Sequence, residues 1–346
     1  MTICYFGDYD SEYSRNRILL RGLKENGVIV LECRSQKQGL KKYWDLYKKH
    51  RGIKNKYDVL IVGQSFHSRL VWLAKILSSK KIVWDAYYSF YDKYVFDSRL
   101  ISPASLRARY YWWTEKIACV LADLILLDTD EHIKYFSNEF RVTREKFRRV
   151  LVGSDIDFKA LPEKNSEATF SVFFYGMYTP LQGARYIIKA AKILENERNI
   201  KFIMVGSGQT YADDRKLADE LGLENISFFS RRPFMELVMA MVQADVCLGV
   251  FGNTPKTKRV IPNKVYDAAA LGKPIISSDT PAIKEIFVNF KNILLCRPAD
   301  PADLADKIRE LEANDALRSR LGSGAQEIFR ESSNSKVIGR QLLETL

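Results

Sequence analysis

The sequence predicts an α/β protein built from two Rossmann-like halves, and three observations carry that expectation. Short apolar runs alternate with longer stretches of helical periodicity along the chain. Gly or Pro punctuates the ends of these runs, as at Gly7, Gly27, Gly176 and Pro274. A length of 346 residues also exceeds what one core usually supports, so two domains are expected. The polar, aperiodic stretch Pro162–Thr169 reads as the linker. It divides the chain into 1–164, 165–330 and a terminal helix over 331–346.

Composition narrows the setting. A hydrophobic content of 47% is ordinary for a globular protein, and no run is long enough to span a bilayer. Residues 1–20 carry no basic-then-apolar leader. Cys4, Cys33, Cys119, Cys247 and Cys296 are odd in number, far apart and without CxxC spacing. His50, His67 and His132 show no ligand spacing either. The expectation is a reducing cytoplasm, with no disulfide framework and no metal. Charge is uneven: residues 1–164 hold 30 Lys and Arg against 20 Asp and Glu, so +10 of the net +12 lies there.

In the first half, Thr2–Phe6 reads as a strand ending at Gly7, and Ser14 as the cap of a helix reaching Asn26. Val28–Leu31 is the next strand. This opening lacks GxGxxG, so a dinucleotide cofactor is not indicated. Arg15 and Asn16 fit either a ligand contact or a solvated helix start. Residues 34–56 carry nine cations against one acid, Asp45. Among them Leu40, Tyr43, Trp44 and Tyr47 repeat at i, i+3, i+4 and i+7. With Lys41, Lys42 and Lys48 beside it, this stripe fits a helix lying on an anionic membrane. It equally fits a stripe packed on the sheet, its lysines facing solvent. Nucleic-acid binding is disfavoured, because no recognised fold motif accompanies the charge. Val59–Val62 and Ile82–Trp84 are strands on either side of helical Ser68–Leu77. An aromatic helix over 105–119 then leads into the apolar run Ala122–Leu127.

In the second half, Phe170–Tyr175 is a strand running into the Gly176–Gly183 turn and a helix over Ala184–Glu195. Phe202–Val205 ends in Gly206-Ser207-Gly208. Leu217–Leu223 is helical, Ile226–Phe229 a strand and Met235–Ala244 a helix. Val246–Phe251 is a buried strand, followed by a loop holding Lys256, Lys258 and Arg259. Asn263 is expected to cap a helix over Lys264–Leu271, closed by Gly272, with a strand from Pro274. A cationic loop that leaves a strand's C-terminal end and feeds a helix N-terminus is where open α/β sheets hold phosphorylated ligands.

Val265–Pro274, reading VYDAAALGKP, resembles the L-E-A-M-A-x-G-x-P segment of the retaining glycosyltransferases of family 4, with Asp267 at the second acidic position of that family. The first acidic position is Arg259 here, and Ile261–Asp267 resembles the P-N-K-x-Y-D variant of some relatives. Gly176–Gly183 is similar to the family's G-R-L-x-x-x-K-G turn, with Met177 and Gln182 in place of its Arg and Lys. Phe202–Gly208 resembles V-G-x-G, and Val150–Asp155 resembles P-N-G-V-D. Asp85 matches a D-x-H segment in which Tyr87 stands for the His. The likeness is strong over residues 170–330 and looser before them.

The resemblance implies the GT-B fold: two Rossmann-like domains facing each other across a cleft, with a C-terminal helix crossing back to the first. The acceptor side is then 1–164 and the donor side 165–330. It also implies sugar transfer, with retention, from a nucleotide-diphosphate sugar to a glycan or lipid-pyrophosphate acceptor in surface-polysaccharide or glycolipid assembly. No metal or other cofactor is expected, and the setting is cytoplasmic, peripheral to the inner face of the membrane. Lys264 is expected on the leaving diphosphate, with backbone amides at Gly7, Gly176 and Asn263. Asp267 would take the ribose hydroxyls, and Gly206 and Gly208 would let the nucleotide approach closely. Arg15, Asn16 and Tyr266 would lie beside the donor, and Asp85 would join Lys264 in the catalytic set. A nucleotide-sugar epimerase of the same fold is one alternative. A non-catalytic nucleotide- or membrane-binding protein is the other, since Glu, Arg, Lys and His of the family are missing.

Overall fold

The computed structural model describes every residue except 66, 158–160, 163 and 165–168. By internal packing the chain forms two units, Met1–Gly153 with Ser333–Leu346, and Ser154–Ser332. The stretch expected as the linker, Pro162–Thr169, lies largely outside the described residues.

The first unit runs β1 (Thr2–Gly7), α1 (Ser14–Glu25), β2 (Ile29–Arg34), α2 (Lys41–Ile53), β3 (Val59–Val62), α3 (Leu70–Leu77) and β4 (Lys81–Tyr87). It continues with α4 (Leu106–Leu121), β5 (Leu124–Leu127), α5 (Asp130–Phe140) and β6 (Phe147–Arg149). Its strands form one parallel sheet, ordered β2-β1-β3-β4-β5-β6. β3 reads VLIV and β5 reads LILL, and both are buried throughout, as a parallel strand covered on two faces requires. Leu46 of α2, Ala74 of α3, Ala118 of α4 and Phe136 of α5 share one core on the sheet. Ser14 does not cap α1: Tyr13 holds that position, and no side chain closes the helix start.

The second unit runs β7 (Phe170–Met177), α6 (Ala184–Ile193), β8 (Ile200–Ser207), α7 (Tyr211–Glu220), β9 (Ile226–Phe229) and α8 (Phe234–Gln243). Then come β10 (Val246–Leu248), α9 (Asn263–Ala270), β11 (Ile275–Ser278), β12 (Leu294–Cys296), α10 (Pro301–Glu312) and α11 (Asp315–Ile328). The sheet is again parallel, ordered β12-β11-β10-β7-β8-β9. The chain winds outward from β7 to β9, then restarts on the other side of β7 at β10. That reversal makes the β7/β10 boundary a topological switch point, where open α/β sheets leave a crevice. α7 begins earlier than the apolar spacing of Leu217–Leu223 predicts. Its polar first turn carries Asp213 and Asp214, which the positive end of the helix dipole favours.

The final helix, α12 (Ser335–Thr345), packs on α1 within the first unit. The two cross at facing glycines. A Cβ on Gly22 would lie 2.2 Å from the Ser335 carbonyl oxygen, and one on Gly339 would lie 2.2 Å from the Gly22 carbonyl. Glu25 accepts from the Ser335 hydroxyl at 2.6 Å and Asn26 donates to the Lys336 carbonyl at 2.8 Å, pinning the crossing.

Candidate functional site

In the second unit, two loops meet at the switch point. The turn after β7 and the loop after β10 are joined by backbone bonds from Phe251 and Gly252 to Gln182 and Leu181, both 3.1 Å. They approach so closely that a Cβ on Gly252 would sit 2.2 Å from the Pro180 carbonyl oxygen. At the neighbouring strand ends, Gly176 and Gly206 stand opposite each other with φ of +156° and +148°. A side chain on Gly206 would strike the Gly176 carbonyl at 1.9 Å, so both the space and the backbone demand glycine. Gly208, at φ +150°, packs in the same way on the Tyr178 backbone.

α9 aims two charged side chains at this floor. Lys264, in its first turn, is buried, and its ammonium donates to Gln182 Oε1 at 2.6 Å. The same Nζ lies 3.7 Å above the centre of the Phe174 ring and beside Gly176. Burial alone holds the Lys264 pKa well below the usual lysine range. One turn on, Asp267 accepts from the Ser154 hydroxyl and from the Tyr175 hydroxyl, each at 2.6 Å. Two expectations for α9 need correction. Tyr266 is fully buried against Phe287, because the helix turns its side chain about 100° away from Asp267. Asn263 is the first helical residue rather than the cap. Pro262 takes the cap position and no side chain closes this N-terminus.

In the first unit, Arg15, Asn16 and Asp85 turn inward. Arg15 and Asp85 form a fully buried ion pair, with Nη2 2.8 Å from Oδ1. Arg15 also donates to the Val150 and Leu151 carbonyls at 2.7 and 2.8 Å. Burial works against its charge, but Asp85 outweighs burial and leaves the guanidinium more basic than usual. Burial in turn raises the Asp85 pKa, against the pull of Arg15. Asn16 accepts from Tyr5 at 2.9 Å and donates to the Asp10 and Gln64 carbonyls at 2.9 and 3.0 Å. The three residues thus brace the strand ends from within. Gly7 closes β1 at φ +141°. Tyr87 holds a strained φ of +61° at a register shift between β4 and β5, and its ring lies 5.7 Å from the Arg15 guanidinium carbon.

The family model for glycosyl transferases group 1 matches residues 155–328, half of the chain and nearly all of the second unit. The chain belongs to the glycosyl transferases group 1 family. Among curated relatives it is 24% identical to the uncharacterized glycosyltransferase MJ1178 of Methanocaldococcus jannaschii, over 69% of this chain and 63% of the relative. It is 25% identical to the D-inositol 3-phosphate glycosyltransferase of Corynebacterium jeikeium, over 59% of this chain and 52% of the relative. The alignments therefore span less than two thirds of those proteins. Among solved structures, Anabaena Alr3699/HepE in complex with UDP superposes with a TM-score of 0.72 at 16% identity, covering 99% of this chain and 98% of that one. The fold is that of the GT-B glycosyltransferases.

In this member of the family the stripe on the basic helix α2 is divided between the core and solvent. Tyr43 packs toward the core, whereas Leu40 and Trp44 are exposed. Trp44 stacks on Tyr47 with ring centres 5.2 Å apart, and Lys48 lies 5.2 Å from the Trp44 ring centre. Lys42 does not belong to the outer basic face with Lys41 and Lys48. It is buried and paired with Asp8 at 2.6 Å, because the loop after β1 brings that carboxylate under the helix. Sequence reasoning missed four partners: Asp8, Ser154, Tyr175 and the role of Gln182. Only Gln182 carried a signal, as the residue standing where the turn motif has Lys. Among the described residues no cluster of His, Cys, Asp and Glu could hold a metal ion, and no helix is long and apolar enough to cross a membrane.

Proposed function

We propose that this chain transfers a sugar from a nucleotide-diphosphate sugar, with retention and without a divalent metal, as the family 4 resemblance implies. The observation that carries the reading is the Lys264 ammonium, buried at the switch point of the second unit against Gly176 and held by Gln182. In this variant the cation arrives from α9 rather than from the β7 turn, and the Gln amide oxygen aims it. A diphosphate there gains a charge-assisted bond of about 1.5–3 kcal/mol and faces the first-turn N–H groups of α9. Burial favours the neutral amine while the site is empty; a bound diphosphate restores the proton, and the cation so formed stabilises the negative charge that develops on the leaving group. Asp267 accepts from the Ser154 and Tyr175 hydroxyls, and a carboxylate that takes hydroxyl donors there suits a ribose hydroxyl, which would exchange for one of them.

We assign no carboxylate nucleophile; the leaving phosphate takes the proton of the incoming acceptor hydroxyl on the same face of the sugar. The basic first unit favours a glycan or lipid-pyrophosphate acceptor, at the inner face of the membrane. UDP-sugars are the first donors to test, because Alr3699/HepE was solved with UDP and with UDP-glucose. The test is a thermal-shift panel of UDP, GDP, ADP, CMP and dTDP in EDTA. A ligand at a hundred times its Kd adds about 2.7 kcal/mol, a readable shift. One diphosphate should stabilise the wild type, and Lys264→Met, similar in shape but uncharged, should bind it at least about tenfold more weakly. Equal binding by the variant removes Lys264 from the site, and no shift with any nucleotide overturns the donor reading.

A further inference from the structure

α4 is apolar on two sides. Ala108, Ala118 and Cys119 are buried in the first unit, as a Rossmann helix requires. The opposite side carries Leu106, Tyr110, Trp113, Ile117 and Val120, at steps of 4, 3, 4 and 3 residues. Leu106 is 81% exposed, Tyr110 45%, Trp113 55% and Val120 56%. Single exposed apolar residues are ordinary, but a stripe along a whole helix is not. An exposed apolar stripe of this length, rimmed by charge, marks a surface that a partner or a membrane covers. α3 packs between α2 and α4 and adds Ile76, and the loop before α4 adds Leu100, both exposed.

Charge decides what covers this face. From Ser98 to Ala122 the chain carries four cations, Arg99, Arg107, Arg109 and Lys116, and one acid, Glu115, which is buried. From Ser68 to Lys81 there are four more cations and no acid, although one of them, Lys75, is paired at 3.0 Å with Asp123, just beyond α4. The Arg69 guanidinium lies 5.6 Å from the centre of the Tyr110 ring, so charge and stripe are interleaved. A second copy seated on this face would set arginines against arginines, which disfavours pairing between copies. An anionic lipid surface answers both features. Its phosphates pair with the arginines, while Trp, Tyr and Leu enter the boundary between headgroups and acyl chains.

We propose that the outer face of α3 and α4, led by Leu106, Tyr110 and Trp113, docks the protein on an anionic lipid bilayer. α2, for which the sequence offered this contact as one of two readings, packs beside α3 and contributes less. Docking belongs to the first unit alone, and it rests on the lipid-linked acceptor reading only for its purpose.

The test is co-sedimentation of the full chain with vesicles of phosphatidylcholine, alone or mixed with phosphatidylglycerol, at low and high ionic strength. The wild type should pellet with the mixed vesicles at low ionic strength and stay in solution with phosphatidylcholine alone. Leu106→Ser/Tyr110→Ser/Trp113→Ser and Arg69→Glu/Arg107→Glu/Arg109→Glu should each bind more than about tenfold more weakly, and Trp44→Ser far less so. Brominated acyl chains should quench wild-type fluorescence, and Trp113→Phe should abolish most of that quenching. Wild type that never pellets, or a Ser variant that pellets fully, overturns the proposal. So does a concentration-dependent dimer that the Ser variant loses, since the face would then join copies of the chain. The nucleotide thermal shift is read on every variant: its persistence shows that the fold is intact. Docking without any nucleotide shift in the wild type would instead sink the transferase reading and leave the lipid face standing.

Discussion

At the scale of single residues, burial sets the chemistry more than sequence position does. Glu115 on α4 is fully buried, and burial pushes its pKa from 4.5 up to about 8, opposed by bonds from the Ser89 hydroxyl and the Phe90 N–H. The folded state therefore holds a proton there that the unfolded chain has released. Its stabilising contribution is complete below pH 4.5 and is lost as pH rises toward 8. Glu115→Gln should flatten the fall in stability across that window, as read by thermal unfolding at stepped pH. A parallel fall in the variant would place the pH dependence elsewhere. Lys264 and Asp267 were legible in the sequence because a motif fixes their spacing on one helix. The pairing of Arg15 with Asp85 was not, since the two lie 70 residues apart and nothing in either segment says which way the side chains turn.

At the scale of elements, apolar periodicity located most helices and strands, and β3 and β9 match the expected runs. It could not separate a helix with one apolar side from α4 with two, because both show the same repeat. Helix crossings were equally invisible: Gly22 and Gly339 stand more than three hundred positions apart, yet their backbones touch. Gly22→Ala should cost about 1–3 kcal/mol through overpacking, since the added methyl meets backbone that has no rotamer to yield. Gly52, late in α2, offers the control: a Cβ there meets nothing within 4 Å. Gly52→Ala should be neutral or stabilising by up to about 1 kcal/mol. Denaturant midpoints of the two variants decide the matter. A neutral Gly22→Ala would mean that α12 yields at the crossing.

At the scale of the whole molecule, the chain leaves the first unit at Gly153 and re-enters it at Ser333. These two points touch: a Cβ on Gly153 would lie 2.3 Å from the Ser333 carbonyl oxygen. The second unit is therefore an interior insert whose two junctions share one spot on its host. Joining Gly153 to Ser333 through a few glycines should yield a single-chain first unit that melts cooperatively. A chain stopped at Gly153 should not, because α1 would lose the helix that covers it. Failure of the joined form to melt cooperatively would show that the host needs its insert. If it succeeds, the architecture works as a socket: a relative's interior segment, spliced in at this one place, would replace the second unit and leave the host's own sheet and its α1–α12 crossing unchanged.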